Sequence, residues 1–75
     1  MRIRYDKKND AMYIRFSEEP YFESDEIKEG FILDFDKKGR VVGLEILDVS
    51  ENLPKKAFNK ISFETDKQKR EKITA

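Results

Sequence analysis

Apolar residues recur at every second position in several short stretches. Ile3 and Tyr5 alternate with Arg2 and Arg4. After the polar, turn-prone run Asp6-Lys7-Lys8-Asn9-Asp10, the residues Met12, Ile14 and Phe16 alternate with Ala11, Tyr13 and Arg15. Period two is the repeat of a strand with one buried face, so these two stretches predict a first hairpin. Pro20 follows Ser17-Glu18-Glu19 and closes it, because proline has no N–H to give to a ladder. Residues 21–27 carry Glu23, Asp25 and Glu26 among few apolar side chains. They read as a short edge strand, where charge discourages stray pairing.

Residues 31–36 and 40–47 are the clearest strands, on either side of Lys37-Lys38-Gly39. Gly39 suits the turn position that needs a positive φ. Turn chemistry and hydrophobic pattern disagree about register. A three-residue loop with a glycine bulge gives paired residue numbers with an even sum, which makes both faces half polar. An odd sum places Phe31, Leu33 and Phe35 on one face with Val42, Leu44 and Ile46. A one-residue slip moves every side chain across the sheet, so the odd register is expected. The predicted apolar face then also holds Ile3, Tyr5, Met12, Ile14 and Phe16. Beyond it, Ser50 or Asn52 can cap a helix and Pro54 suits a first turn. Leu53, Ala57, Phe58 and Ile61 form a stripe that would cross the apolar face. The expected fold is α+β and mostly β: an antiparallel meander of four to five strands with one C-terminal helix near 53–61 covering one sheet face. Residues 1–64 form the domain, and the charged residues 65–75 form a flexible tail or helical extension.

Composition narrows the chemistry. The chain has 75 residues and neither Cys nor His. Disulfides, thiol nucleophiles and thiolate metal sites are therefore excluded, and the commonest general base near neutral pH is missing. Ser17, Ser24, Ser50 and Ser62 have no His to activate them. The expectation is a non-enzymatic domain with no catalytic residues, no cofactor and no dedicated metal site. Sixteen basic and sixteen acidic residues cancel, which disfavours nucleic acid as a dominant partner. No apolar run approaches the length of a membrane span, and the N-terminus enters a strand pattern directly. These features, with the lack of cysteine, suggest a cytoplasmic protein.

Three stretches resemble one small prokaryotic family: Ile3-Arg4-Tyr5-Asp6, Asp10-Ala11-Met12-Tyr13-Ile14-Arg15-Phe16, and the run from Gly39 to Ser50, GRVVGLEILDVS. In order and spacing they are similar to the domain of unknown function family 2283. The resemblance implies a small β-rich protein without an assigned activity, so it supplies no catalytic residues. Some members are thought to lie beside toxin-like proteins, which makes an antitoxin-like role a candidate.

Two surfaces carry candidate function. Asp34 and Asp36 share a strand face with Glu45 opposite, a cluster that could hold a divalent cation or small ligand. The plainer expectation is a solvated face, with Asp36 stabilising the turn. Tyr13 lies among Arg2, Arg4 and Arg15 on the same outer face. Tyrosine and arginine are enriched at protein interfaces. Tyr13, Arg15, Ile32 and Val41, with Leu47, are assigned to the face that the helix does not cover. They form the expected partner-binding patch, for a homodimer or a small protein partner. The basic cluster Lys67-Gln68-Lys69-Arg70-Glu71-Lys72 reads as a solvated terminus.

Overall fold

A computed structural model describes residues 1–66; the basic cluster at 67–72 lies outside the described residues. The chain forms the expected antiparallel sheet with a short C-terminal helix. Its elements are β1 (Arg2–Asp6), β2 (Ala11–Arg15), β3 (Glu23–Lys28), β4 (Phe31–Phe35), β5 (Val41–Ile46) and α1 (Val49–Asn52). The sheet order is β1-β2-β5-β4-β3. The hairpin β1-β2 and the meander β3-β4-β5 therefore join through the β2–β5 pair, which leaves β5 in the centre and β1 and β3 as free edges.

The odd register holds over most of the β4–β5 pair, where Phe31 faces Ile46, Ile32 faces Glu45 and Leu33 faces Leu44. Near the turn the register shifts by one residue, so that Phe35 faces Val41. Both sequence signals are thus obeyed. The loop follows turn chemistry, with Gly39 at φ 82°, and a bulge at Val42 restores the hydrophobic register. Asp36 secures this loop. One carboxylate oxygen accepts from the backbone N–H groups of Lys38 and Arg40, both at 2.9 Å, and the other accepts from Arg40 Nε at 2.8 Å. These bonds, led by the Arg40 backbone, hold its carboxyl below the usual carboxylate range.

The expected helix at 53–61 is absent and its residues form turns. Leu53 is extended (φ −120°, ψ 155°) and ends α1. A residue preceding proline is pushed out of the helical region, so Leu53-Pro54 stops a helix where it was expected to start one. The N-cap is Asp48, without a side-chain cap bond, rather than Ser50 or Asn52. The capping oxygen comes from another element. Asp10, at φ 54°, accepts from the Ser50 backbone N–H at 3.1 Å, from Ser50 Oγ at 2.9 Å and from Tyr5 Oη at 2.9 Å. Its carbonyl also accepts from the Val49 N–H at 3.0 Å. Asp10 therefore ties the first hairpin to α1, and Val49 is fully buried.

The core sits at that end of the sheet. Met12, Ile46 and Val49 form it, and Ile14, Phe31, Leu44, Leu53 and Phe58 pack against it. Phe58 stacks on Tyr5 with ring centroids 5.1 Å apart. Leu53 and Phe58 thus cover this end of the sheet, through turns rather than a helix, while Ala57 and Ile61 of the expected stripe are exposed.

Candidate functional site

The two faces of the sheet are chemically distinct. On the outer face β1 and β2 bring arginines together. Arg2 faces Arg15 and Arg4 faces Tyr13 across the pair. Arg2, Arg4, Tyr13 and Arg15 line one shallow depression, with the Arg4 guanidinium 5.8 Å from the Tyr13 ring centroid. Like charges opposite one another are destabilising unless something offsets them. Here each is engaged within the chain. Arg2 forms a two-pronged pair with Glu18 at 2.9 and 3.1 Å, and Arg15 donates to the backbone carbonyls of Ser17 and Glu19.

The other half of that face is acidic. Tyr13 faces Glu45, which in turn faces Ile32 on β4. Asp34 was expected to be solvated, but it is only 4% exposed. The reason is its neighbour Gly43, directly opposite on β5. The missing side chain leaves room for the carboxylate, and a Cβ on Gly43 would stand 3.1 Å from Asp34 Oδ2. Ser24 Oγ donates to Asp34 Oδ1 at 2.6 Å. Burial pushes the Glu45 carboxyl up from its ordinary value, helped by a hydrogen bond to Asp34 and by its charge, and opposed by Arg15.

A raised carboxyl binds protons more readily in the folded than in the unfolded chain. Stability linked to Glu45 is therefore greatest below its unfolded pKa and falls as pH rises through its folded one. Asp34→Asn removes the repelling charge, so the Glu45 titration measured by NMR should shift downward. It should stay above the ordinary range, because burial is the larger cause. A midpoint that does not move would show that Asp34 does not act on Glu45.

The inner face is apolar but incompletely covered. Of the residues expected in the core, Met12, Val42 and Ile46 are buried. Ile3, Phe16 and Val41 are each 41% exposed, and Tyr5 is 40% exposed. Val41 was expected on the outer face beside Tyr13 and Ile32. The bulge instead places it opposite Phe35, on the inner face. The segment after α1 reaches only the end near Met12 and Ile46. At the far end the loop after β2 presents Tyr21 and Phe22, 55% and 60% exposed, and the Phe22 N–H donates to the Phe35 carbonyl. The structure thus separates the expected partner-binding set. Tyr13, Arg15 and Ile32 share the charged outer face, and Val41 joins Phe16 and Phe35 on the apolar one. Sequence reasoning missed this open end: of the expected stripe Leu53, Ala57, Phe58 and Ile61, Leu53 and Phe58 pack on the core, an outcome set by how far the segment reaches and not by its residue types.

No group of three or more acidic residues that could hold a metal ion occurs among the described residues. No helix among them is long and apolar enough to cross a membrane. No curated protein and no solved structure matches the chain. One family model does match, over residues 2–50, and its description is "Protein of unknown function (DUF2283)". That span holds the whole sheet, together with Asp10 and its partner Ser50. All three stretches that carry the sequence resemblance meet at this contact, since Tyr5 also donates to Asp10, so those residues build the fold. The match covers more than half of the chain, which therefore belongs to the DUF2283 family.

Proposed function

We propose that this protein is a non-catalytic protein-interaction module that works by covering the open end of its apolar sheet face with another polypeptide. One observation carries the reading. Ile3, Phe16 and Val41 lie toward one end of a single face and are each 41% exposed, although strand register makes them core residues. Contiguous apolar surface on a small domain marks an interaction site. Leu53 and Phe58, which follow α1, pack at the other end of the face, near Met12 and Ile46. Neutralising a small toxin-like partner is one form such an interaction could take.

Two other surfaces are weaker candidates. Tyr13, Arg15 and Ile32 offer an aromatic–arginine patch, but the Arg15 side chain is already spent on loop carbonyls. Binding of a divalent cation or small molecule at the acidic outer face would use Asp34 and Glu45. Asp34 is buried there and bonded to Ser24. A rise in melting temperature with Ca²⁺ or Mg²⁺ would favour that reading.

The test is site-directed photocrosslinking in the native cell, with p-benzoylphenylalanine in place of Phe16 or of Tyr13. Protein adducts should form from position 16 and be scarce from position 13. The reverse pattern would move the interface to the outer face and overturn the proposal.

A further inference from the structure

The segment that enters β3 runs beside the turn between β4 and β5, and a cleft of about 330 Å³ lies between them. One wall carries Tyr21 and Phe22, and the other carries Lys37, Lys38 and Arg40. The volume falls at the lower end of the range for small-molecule pockets, roughly 300–1,000 Å³. Both walls are held from behind. The Phe22 N–H donates to the Phe35 carbonyl at 2.6 Å, and Arg15 donates to the Glu19 carbonyl at 3.1 Å. Asp36 fixes the turn through the Lys38 and Arg40 N–H groups. The backbone of the cleft is thus in place before any ligand arrives, which lowers the ordering cost of binding.

Its lining joins two chemistries. Tyr21 and Phe22 are consecutive aromatic residues, both exposed and outside the core cluster. On the facing wall the Arg40 charge is offset by its pair with Asp36. Lys37 and Lys38 form no ion pair among the described residues. The Lys37 ammonium stands 5.9 Å from the Phe22 ring centroid, so cation and aromatic face approach one another across the cleft. Three cations, Lys37, Lys38 and Arg40, meet two carboxylates, Glu19 and Asp36, which leaves the cleft positive. Exposed aromatic faces take planar bases by stacking, and unpaired ammonium groups take phosphate. The outer face repeats both chemistries at Arg4 and Tyr13, but in a hollow of about 140 Å³ where Tyr13 is half-buried and Arg2 and Arg15 are already engaged.

From this arrangement we infer that the cleft binds a nucleoside phosphate, its base stacked on Tyr21 or Phe22 and its phosphates at Lys37 and Lys38. Glu19 supplies an acceptor for a sugar hydroxyl or a base amino group. The inference goes beyond the interaction reading, since Ile3, Phe16 and Val41 do not line this cleft.

Titration of the full chain with ADP, adenosine and pyrophosphate, followed by amide-resolved NMR, tests it. ADP should shift the amide signals of Tyr21, Phe22, Lys37 and Lys38. It should bind more tightly than either fragment, because it alone carries both ring and charge. Tyr21→Ala with Phe22→Ala should weaken ADP by about tenfold or more, the scale of base–aromatic stacking, and leave pyrophosphate unchanged. Lys37→Ala with Lys38→Ala should weaken ADP by about tenfold or more and leave adenosine unchanged. Arg4→Ala, on the outer face, should alter none of the three. All of these side chains are exposed, and circular dichroism checks that each variant is folded.

Pyrophosphate binding as tightly as ADP would overturn the ring contact and leave an anion site only. Adenosine binding as tightly as ADP would overturn the phosphate contact. An ADP affinity that falls with Arg4→Ala but not with the lysine pair would place the ligand on the outer face and overturn the cleft. No saturable shift with millimolar ADP would overturn the inference outright. Crosslinking from position 16 tests the interaction reading separately, so either can fail without the other.

Discussion

Ile46→Ala is expected to remove about 2–5 kcal/mol of unfolding free energy, the range for a buried large-to-small change, while Phe16→Ala costs under about 1.5 kcal/mol in dilute solution. Both side chains belong to the apolar face by register. They differ in where they sit along it. Ile46 is 5% exposed and packs with Met12 and Val49 beneath the turns after α1. Phe16 is 41% exposed at the open end. Removing Ile46 leaves a cavity whose walls are pinned, because Asp10 holds Ser50 and Val49 in place. Removing Phe16 leaves space that water already reaches. Urea midpoints measured in dilute solution check this. Equal penalties would mean that the open end is packed after all.

Strand positions, the central hairpin and the identity of the apolar face were legible because each rests on a period-two pattern that a slip would destroy. The same reasoning misjudged Val41, since a bulge changes which residue faces which without changing the pattern of residue types. Asp34 was misplaced for a related reason. A strand carboxylate reads as solvent-facing unless its cross-strand neighbour is known, and that neighbour proved to be Gly43. The helix was displaced because Pro54 is compatible with a first turn and equally with a stop. The choice is made by contacts distant in sequence, Asp10 with Ser50 and Phe58 with Tyr5. Candidate function was less legible than fold. The outer-face cluster of Tyr13 with Arg2, Arg4 and Arg15 is present as read, but incomplete cover on the inner face depends on how far a short segment reaches.

Gly30→Ala is expected to cost about 2–3 kcal/mol, and Gly39→Ala about 1–2 kcal/mol, although both glycines occupy the same backbone region. Their φ angles are 86° and 82°. Gly39 sits in the open hairpin loop, where an added Cβ meets nothing within 4 Å. Its substitution therefore measures the left-handed penalty alone. At Gly30, buried in the β3–β4 turn, a Cβ would stand 2.6 Å from Asn52 Nδ2 and 3.4 Å from the Leu47 carbonyl oxygen. Those two groups are bonded to each other at 2.7 Å, which fastens the end of α1 to the sheet. The Gly30 carbonyl also accepts from the Leu47 N–H at 2.8 Å. Alanine at position 30 must push the Asn52 amide away, so the substitution breaks the bond from α1 to Leu47, the residue after β5, as well as straining the turn. Asn52→Ala alone should cost about 0.5–1.5 kcal/mol through the lost hydrogen bond. In the Gly30→Ala background it should cost almost nothing, because that bond is already broken. Chemical denaturation of the four variants, including the double, closes the cycle. Strict additivity would show that Asn52 and Gly30 do not communicate and that the Asn52–Leu47 bond survives alanine at position 30.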